Sequence, residues 1–123
     1  MMVTVKLLMR LIGRFMQTLT RIIKQAIDSK QRVALVSDYG LHRYLVREIG
    51  CDHDAIVHVN EERPHNIMAF DFDIVIYDEA PRDIECLTIC CRRVMRKEGR
   101  VVVPPHTNID AYQKCLAERM ERY

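Results

Sequence analysis

The sequence predicts an α/β domain of three layers, with about four mostly parallel strands, preceded by a long amphipathic helix at the N-terminus. Three observations predict it. Over residues 6–27 the apolar side chains recur at three- and four-residue spacing, the period of a helix. From Arg32 onward, short apolar runs alternate with helix-period segments over about 90 residues, the pattern of a parallel sheet covered by helices. The runs also end in polar residues or prolines, at Ser37-Asp38, Asn60-Glu61, Asp78-Glu79 and Pro104-Pro105. Right-handed crossovers would bring those ends to one edge of the sheet.

Each element has its own justification. From Lys6 to Ile27, Leu8, Leu11, Ile12, Phe15, Met16, Leu19, Ile22, Ile23 and Ala26 share one helical face, with Arg10, Arg14, Arg21 and Lys24 on the other. At 1.5 Å per residue this helix would be about 33 Å long. Asp28 to Lys30 form a polar junction, so the chain divides into the basic helix and junction, 1–31, and the α/β domain proper, 32–123. RVALVSDYG reads as a buried strand entering a turn. LHRYLVREIG reads as a helix with Leu41, Tyr44, Leu45 and Ile49 inward and Gly50 as its stop. AIVHVNEE is the second strand. Arg63 to Asp71, with Pro64, has no period and is expected to be loop or a single turn.

Asp73 to Tyr77 form the third strand. Pro81 suits the first turn of the next helix, with Asp83 and Glu85 well placed against its dipole. Its buried face is Ile84, Leu87, Cys91, Val94 and Met95, and Lys97-Glu98-Gly99 closes it. RVVVPP is the fourth strand. The last helix opens on Thr107 with Asp110 three residues on, a capping-box-like pair, and packs through Ile109, Tyr112, Leu116 and Met120.

A chain of 123 residues suits one domain with one core. No apolar run reaches bilayer-spanning length, because Lys6, Arg10, Arg14, Arg21 and Lys24 interrupt the longest. The cysteines, Cys51, Cys86, Cys90, Cys91 and Cys115, are odd in number and two are adjacent, which fits an intracellular, reducing compartment better than a disulfide scaffold. The net charge of +2 conceals a segregation: residues 1–32 carry seven Lys or Arg against one acid, so the remainder is net acidic.

The stretch FDIVIYDEAP (Phe72–Pro81), a helix, then LTICCRRVMRKEGRVVVPP resembles the core of class I S-adenosylmethionine-dependent methyltransferases, in which an aspartate ends one strand and a glycine precedes the next. The resemblance covers roughly Arg32 to Pro105 and implies a small Rossmann-like fold with S-adenosylmethionine as its possible cofactor. It would place Ser37, Asp38 and Gly40 in the cofactor loop, Glu61 as the acid taking the ribose hydroxyls, and Asp78 where the reactive group is held. SDYGLH has only Gly40 where such a loop needs several small residues, and puts Tyr39 where bulk is unwelcome. The interval from Glu61 to Asp73 is also short for a helix and a strand.

IVIYDEAP has a second likeness, to the acidic strand of helicase-like ATPases, but the Gly-x-x-x-x-Gly-Lys-Ser/Thr loop that ATP hydrolysis would need is missing. Neither Cys51, His53, His58 and His65 nor Cys86 with Cys90 has zinc-site spacing, so no metal is expected. No catalytic residue stands out. The functional expectation is a non-enzymatic interaction protein on a degenerate methyltransferase-like scaffold. It would use Arg10, Arg14, Arg21 and Lys24 for self-association, a protein partner or a membrane surface, with nucleic acid ranked below these. The alternative is a minimal S-adenosylmethionine-binding module, an enzyme only if it is a methyltransferase.

Overall fold

The computed structural model describes residues 5–7, 15–67 and 70–121. Its centre is an all-parallel sheet in which β2 (Val33–Val36), β3 (Ile56–Val59), β4 (Ile74–Tyr77) and β5 (Arg100–Val103) lie in the order β3-β2-β4-β5. A three-residue strand, β1 (Val5–Leu7), pairs in parallel with Val101–Val103 of β5 and completes that edge. The four runs read from the sequence are therefore the four principal strands.

The N-terminal helix is a correction. Helix α1 spans Phe15–Asp28, and Val5–Leu7 belong to the sheet, where a single helix from Lys6 was expected. Val5 is β-branched and suits the extended backbone in which Val5–Leu7 pair with β5. Residues 8–14, which include Arg10 and Arg14 of the expected cationic face, lie outside the described residues.

Alternation along the strands produces two cores. Val33, Leu35, Ile74, Ile76 and Val102 face α1 and α2 (Tyr39–Ile49), whose Leu19, Ile22, Ile23, Ala26 and Leu45 cover them. Ala34, Val36, Val75, Tyr77, Val101 and Val103 face α3 (Ile84–Met95) and α4 (Ile109–Glu121). The apolar side of α1 is thus buried against the sheet, and its exposed side carries Arg21 and Lys24. Among the described residues no helix is long and apolar enough to cross a membrane, and all five cysteines are free.

The helix ends follow local chemistry. Asp38 caps α2 by accepting from the Leu41 N–H at 2.7 Å, and Gly50 (φ 74°) ends it in the left-handed region. Pro81 does not enter α3: the cap is Asp83, which accepts from the Glu85 and Cys86 N–H groups at 2.8 and 3.2 Å. Past α3 the positive φ (51°) falls on Glu98, whereas Gly99 answers a need for space, since a Cβ there would lie 2.3 Å from the Asp73 carbonyl oxygen. The expected cap of α4 is not made; the Thr107 hydroxyl is buried without a hydrogen-bond partner. Tyr44, expected inward, is about half exposed, and His42 takes the buried position instead.

Candidate functional site

The chain runs from β2 through α2 to β3 on one side, then returns past β2 to β4 and continues outward to β5. Among its described residues the return carries a single 3-10 turn, Pro64–Ile67, whose Ile67 joins Phe72 in the core under α3. The direction of winding therefore reverses between β2 and β4, and in open α/β sheets ligands bind at the strand C-termini beside such a reversal. A cleft of about 520 Å³ lies there, in the size range of small-molecule sites. The ends of β2 (Ser37, Asp38), β3 (Asn60, Glu61) and β4 (Asp78, Glu79) line it, with Tyr39 and His58 along one wall and Arg82 opposite.

Ser37, Asp38, Glu61 and Asp78, which the resemblance put at a cofactor site, all line this cleft. Gly40 is not among its lining residues; it sits in the first turn of α2, where a Cβ would approach the Asp38 carboxylate to 3.2 Å. Its smallness there makes room for the helix cap.

Several of the acids already have internal partners. Asp38 caps α2. Glu61 Oε2 accepts from the backbone N–H groups of Arg82 (2.7 Å) and Asp83 (3.0 Å), and its other oxygen lies 3.5 Å from the Arg82 guanidinium. Tyr112 reaches from α4 to donate its hydroxyl to the Pro81 carbonyl at 2.6 Å, so the loop entering α3 is held from both sides. The protein's own carboxylates thus take the Leu41 N–H at the start of α2 and the Arg82, Asp83, Glu85 and Cys86 N–H groups around the start of α3.

Asp78 is different. Its half-buried carboxyl is pushed above the usual carboxylate range, first by desolvation and then by the negative charges of Glu79 and Asp38. Below it, the buried Tyr77 hydroxyl lies 3.5 Å from Cys86 Sγ and 3.7 Å from Cys90 Sγ. Tyr77, Cys86 and Cys90 belong to the core between α3 and the sheet. Burial pushes the neighbouring Cys91 thiol up to about 12.

The sequence reading did not anticipate the aromatic wall. Tyr39 stacks on His42 with ring centroids 5.9 Å apart, and His58 and His53 lie 5.4 and 4.8 Å from His42. The available signal was position: His42 lies three residues before the buried Leu45, on the inward face of α2. Among the described residues no group of three or more His, Cys, Asp or Glu side chains is arranged to hold a metal ion. Compared with family models, with curated proteins and with solved structures, the chain matches none.

Proposed function

We propose that this protein is a minimal Rossmann-like module that binds a small, hydroxyl-bearing, uncharged or cationic ligand of the adenosine type, with S-adenosylmethionine the leading candidate. The observation that carries the reading is the acidic cleft beside the winding reversal, lined by the ends of three adjacent parallel strands.

The charge balance supports the ligand class. Asp38, Glu61, Glu62, Asp78 and Glu79 face one cation, Arg82, which is paired with Glu61. A sulfonium or ammonium group near Asp78 would lower the cost of ionising it. A phosphate would meet repulsion and would find the N–H groups of Arg82, Asp83, Glu85 and Cys86 at the start of α3 already bonded. Tyr39, about half exposed, adds aromatic surface at the cleft that a base can contact.

Calorimetric titration with S-adenosylmethionine, S-adenosylhomocysteine and ADP tests the proposal. Micromolar binding of the first two and none of ADP supports it. ADP binding, or no heat from any of the three, counts against it.

The interaction reading retains one specific support, the exposed cations Arg21 and Lys24 on α1. The apolar side of that helix is engaged with the sheet. Arg21→Glu with Lys24→Glu should abolish self-association or vesicle binding if that face mediates it; unchanged sedimentation and vesicle partition would remove the reading.

A further inference from the structure

The wall between Tyr39 and His58 contains a feature that a ligand cleft does not require. His42 is completely buried. Its Nε2 lies 2.6 Å from the Ile56 carbonyl oxygen, which can only accept, so Nε2 carries the proton. Nδ1 of the neutral ring is then a bare lone pair, and it is buried with no hydrogen-bond partner. A second proton on this ring would create a buried N–H with nothing to receive it.

The surroundings add to that cost. His53, from the 3-10 turn His53–Ala55, lies 4.8 Å from the His42 ring, and His58 of β3 lies 5.4 Å away. On α2 itself, Tyr39 stacks on His42, and the Arg43 guanidinium lies over the Tyr39 ring, 5.8 Å from its centroid. The buried residues of α1 beneath are apolar. Asp38 is bonded to the Leu41 N–H, and Asp54, 3.9 Å from His53 Nδ1, is fully exposed and screened by solvent. Among the described residues no carboxylate pairs with His42. Desolvation accordingly holds its pKa below the ordinary imidazole value, with His53 and His58 pushing it the same way and the Ile56 hydrogen bond opposing them.

The array is joined mechanically to the cleft. Tyr39 and His58 are cleft residues; the Tyr39 hydroxyl lies 3.3 Å from His53 Nε2, and His58 Nε2 donates to the Ser37 carbonyl at 2.7 Å. Whatever separates these rings also loosens the loop that leads from β2 into α2.

We infer that His42, packed between His53 and His58, is a proton-operated latch on the cleft, closed when its ring is neutral and released in acid, with ligand affinity falling as the wall opens. The ligand arm of this inference rests on the function proposed above; the latch itself does not. The sign follows from linkage: a histidine whose pKa is lowered in the closed state binds fewer protons there, so the closed state loses ground as pH falls below the ordinary value. An imidazole released to a pKa of about 6.5 shifts the equilibrium toward the open form roughly tenfold between neutral pH and about pH 5.5.

Amide hydrogen exchange between pH 7.5 and 5.5, corrected for intrinsic rates, tests the latch on the intact chain. Protection of amides in α2 and in 53–58 should fall about tenfold, while those of β4 and α3 stay protected. His42→Gln, whose amide can still donate to Ile56, should flatten the pH dependence. His53→Gln, at an exposed position, should move the transition to lower pH, and it serves if the first variant does not fold. Affinity for S-adenosylmethionine should decline over the same pH range. Protection independent of pH, a loss spread evenly over the sheet, or a transition that survives in both variants overturns the latch. A localised, histidine-dependent transition with no S-adenosylmethionine binding at any pH upholds the latch and refutes the ligand reading.

Discussion

Replacing Glu61 by alanine separates two roles for this residue. If it is chiefly a structural acid, the loss is that of a carboxylate bonded to two backbone N–H groups, at 2.7 and 3.0 Å, from a side chain only 14% exposed. Hydrogen bonds to charged groups contribute about 1.5–3 kcal/mol each, but the Arg82 N–H can rehydrate once freed, so the net loss is about 2–3 kcal/mol. The Arg82 ion pair adds little, because its guanidinium is mostly in water. With an unfolding entropy of about 2.1 cal/mol/K per residue, a chain of 123 residues loses about 4 °C in Tm per kcal/mol. Thermal unfolding followed by circular dichroism should therefore show Glu61→Ala melting roughly 8–12 °C below the parent. Glu61→Gln, which retains an acceptor, should recover about half of that loss. A Glu61→Ala protein that melts within a degree or two of the parent yet no longer binds S-adenosylmethionine would refute the structural role and restore this residue as a ligand acid.

Other expectations follow from the same geometry. Gly99→Ala should cost about 1–3 kcal/mol or more in urea denaturation, because the added Cβ meets the Asp73 backbone and no side-chain rotation relieves it; an unchanged midpoint would contradict this packing. Asp78→Asn should raise Tm near neutral pH and abolish ligand binding. With a raised folded-state pKa, Asp78 binds more protons folded than unfolded, so its ionisation subtracts stability as pH climbs from the ordinary aspartate value through the raised one. The gain should therefore disappear in acid, and a variant less stable than the parent at neutral pH would show that the charge is needed. Under native conditions a thiol reagent should label the exposed Cys115 first and spare the buried Cys86, Cys90 and Cys91 until the protein is denatured; early labelling of the α3 thiols would mean that the packing of α3 on the sheet opens.

Much of the fold was legible because burial in a parallel sheet leaves an apolar run, and helices on its faces leave a period of three to four. Val33–Val36, Ile74–Tyr77 and Val101–Val103 are buried almost throughout, as such strands require. The N-terminal helix was overextended because Leu and Ile spacing in residues 8–27 suits a helix, whereas the pairing of Val5–Leu7 with β5 is a contact about 95 residues distant that no local period encodes. Convergence of Ser37, Asp38, Glu61 and Asp78 was legible from their places at strand ends and the right-handed crossovers of a parallel sheet. Their division of labour was not: that Asp38 and Glu61 bond backbone N–H groups while Asp78 is desolvated beside two other acids depends on atomic positions. His42 was missed because a histidine on a helix reads as polar, and only the Ile56 carbonyl opposite explains its burial.

The most direct test of the ligand cleft is to follow backbone amide chemical shifts of the isotopically labelled protein during titration with S-adenosylmethionine. Saturable shifts confined to the β2–α2 loop around Ser37–Tyr39, to His58–Glu62 and to Asp78–Asp83 are the predicted result. No shifts at millimolar ligand, or shifts centred on the exposed side of α1, would contradict it.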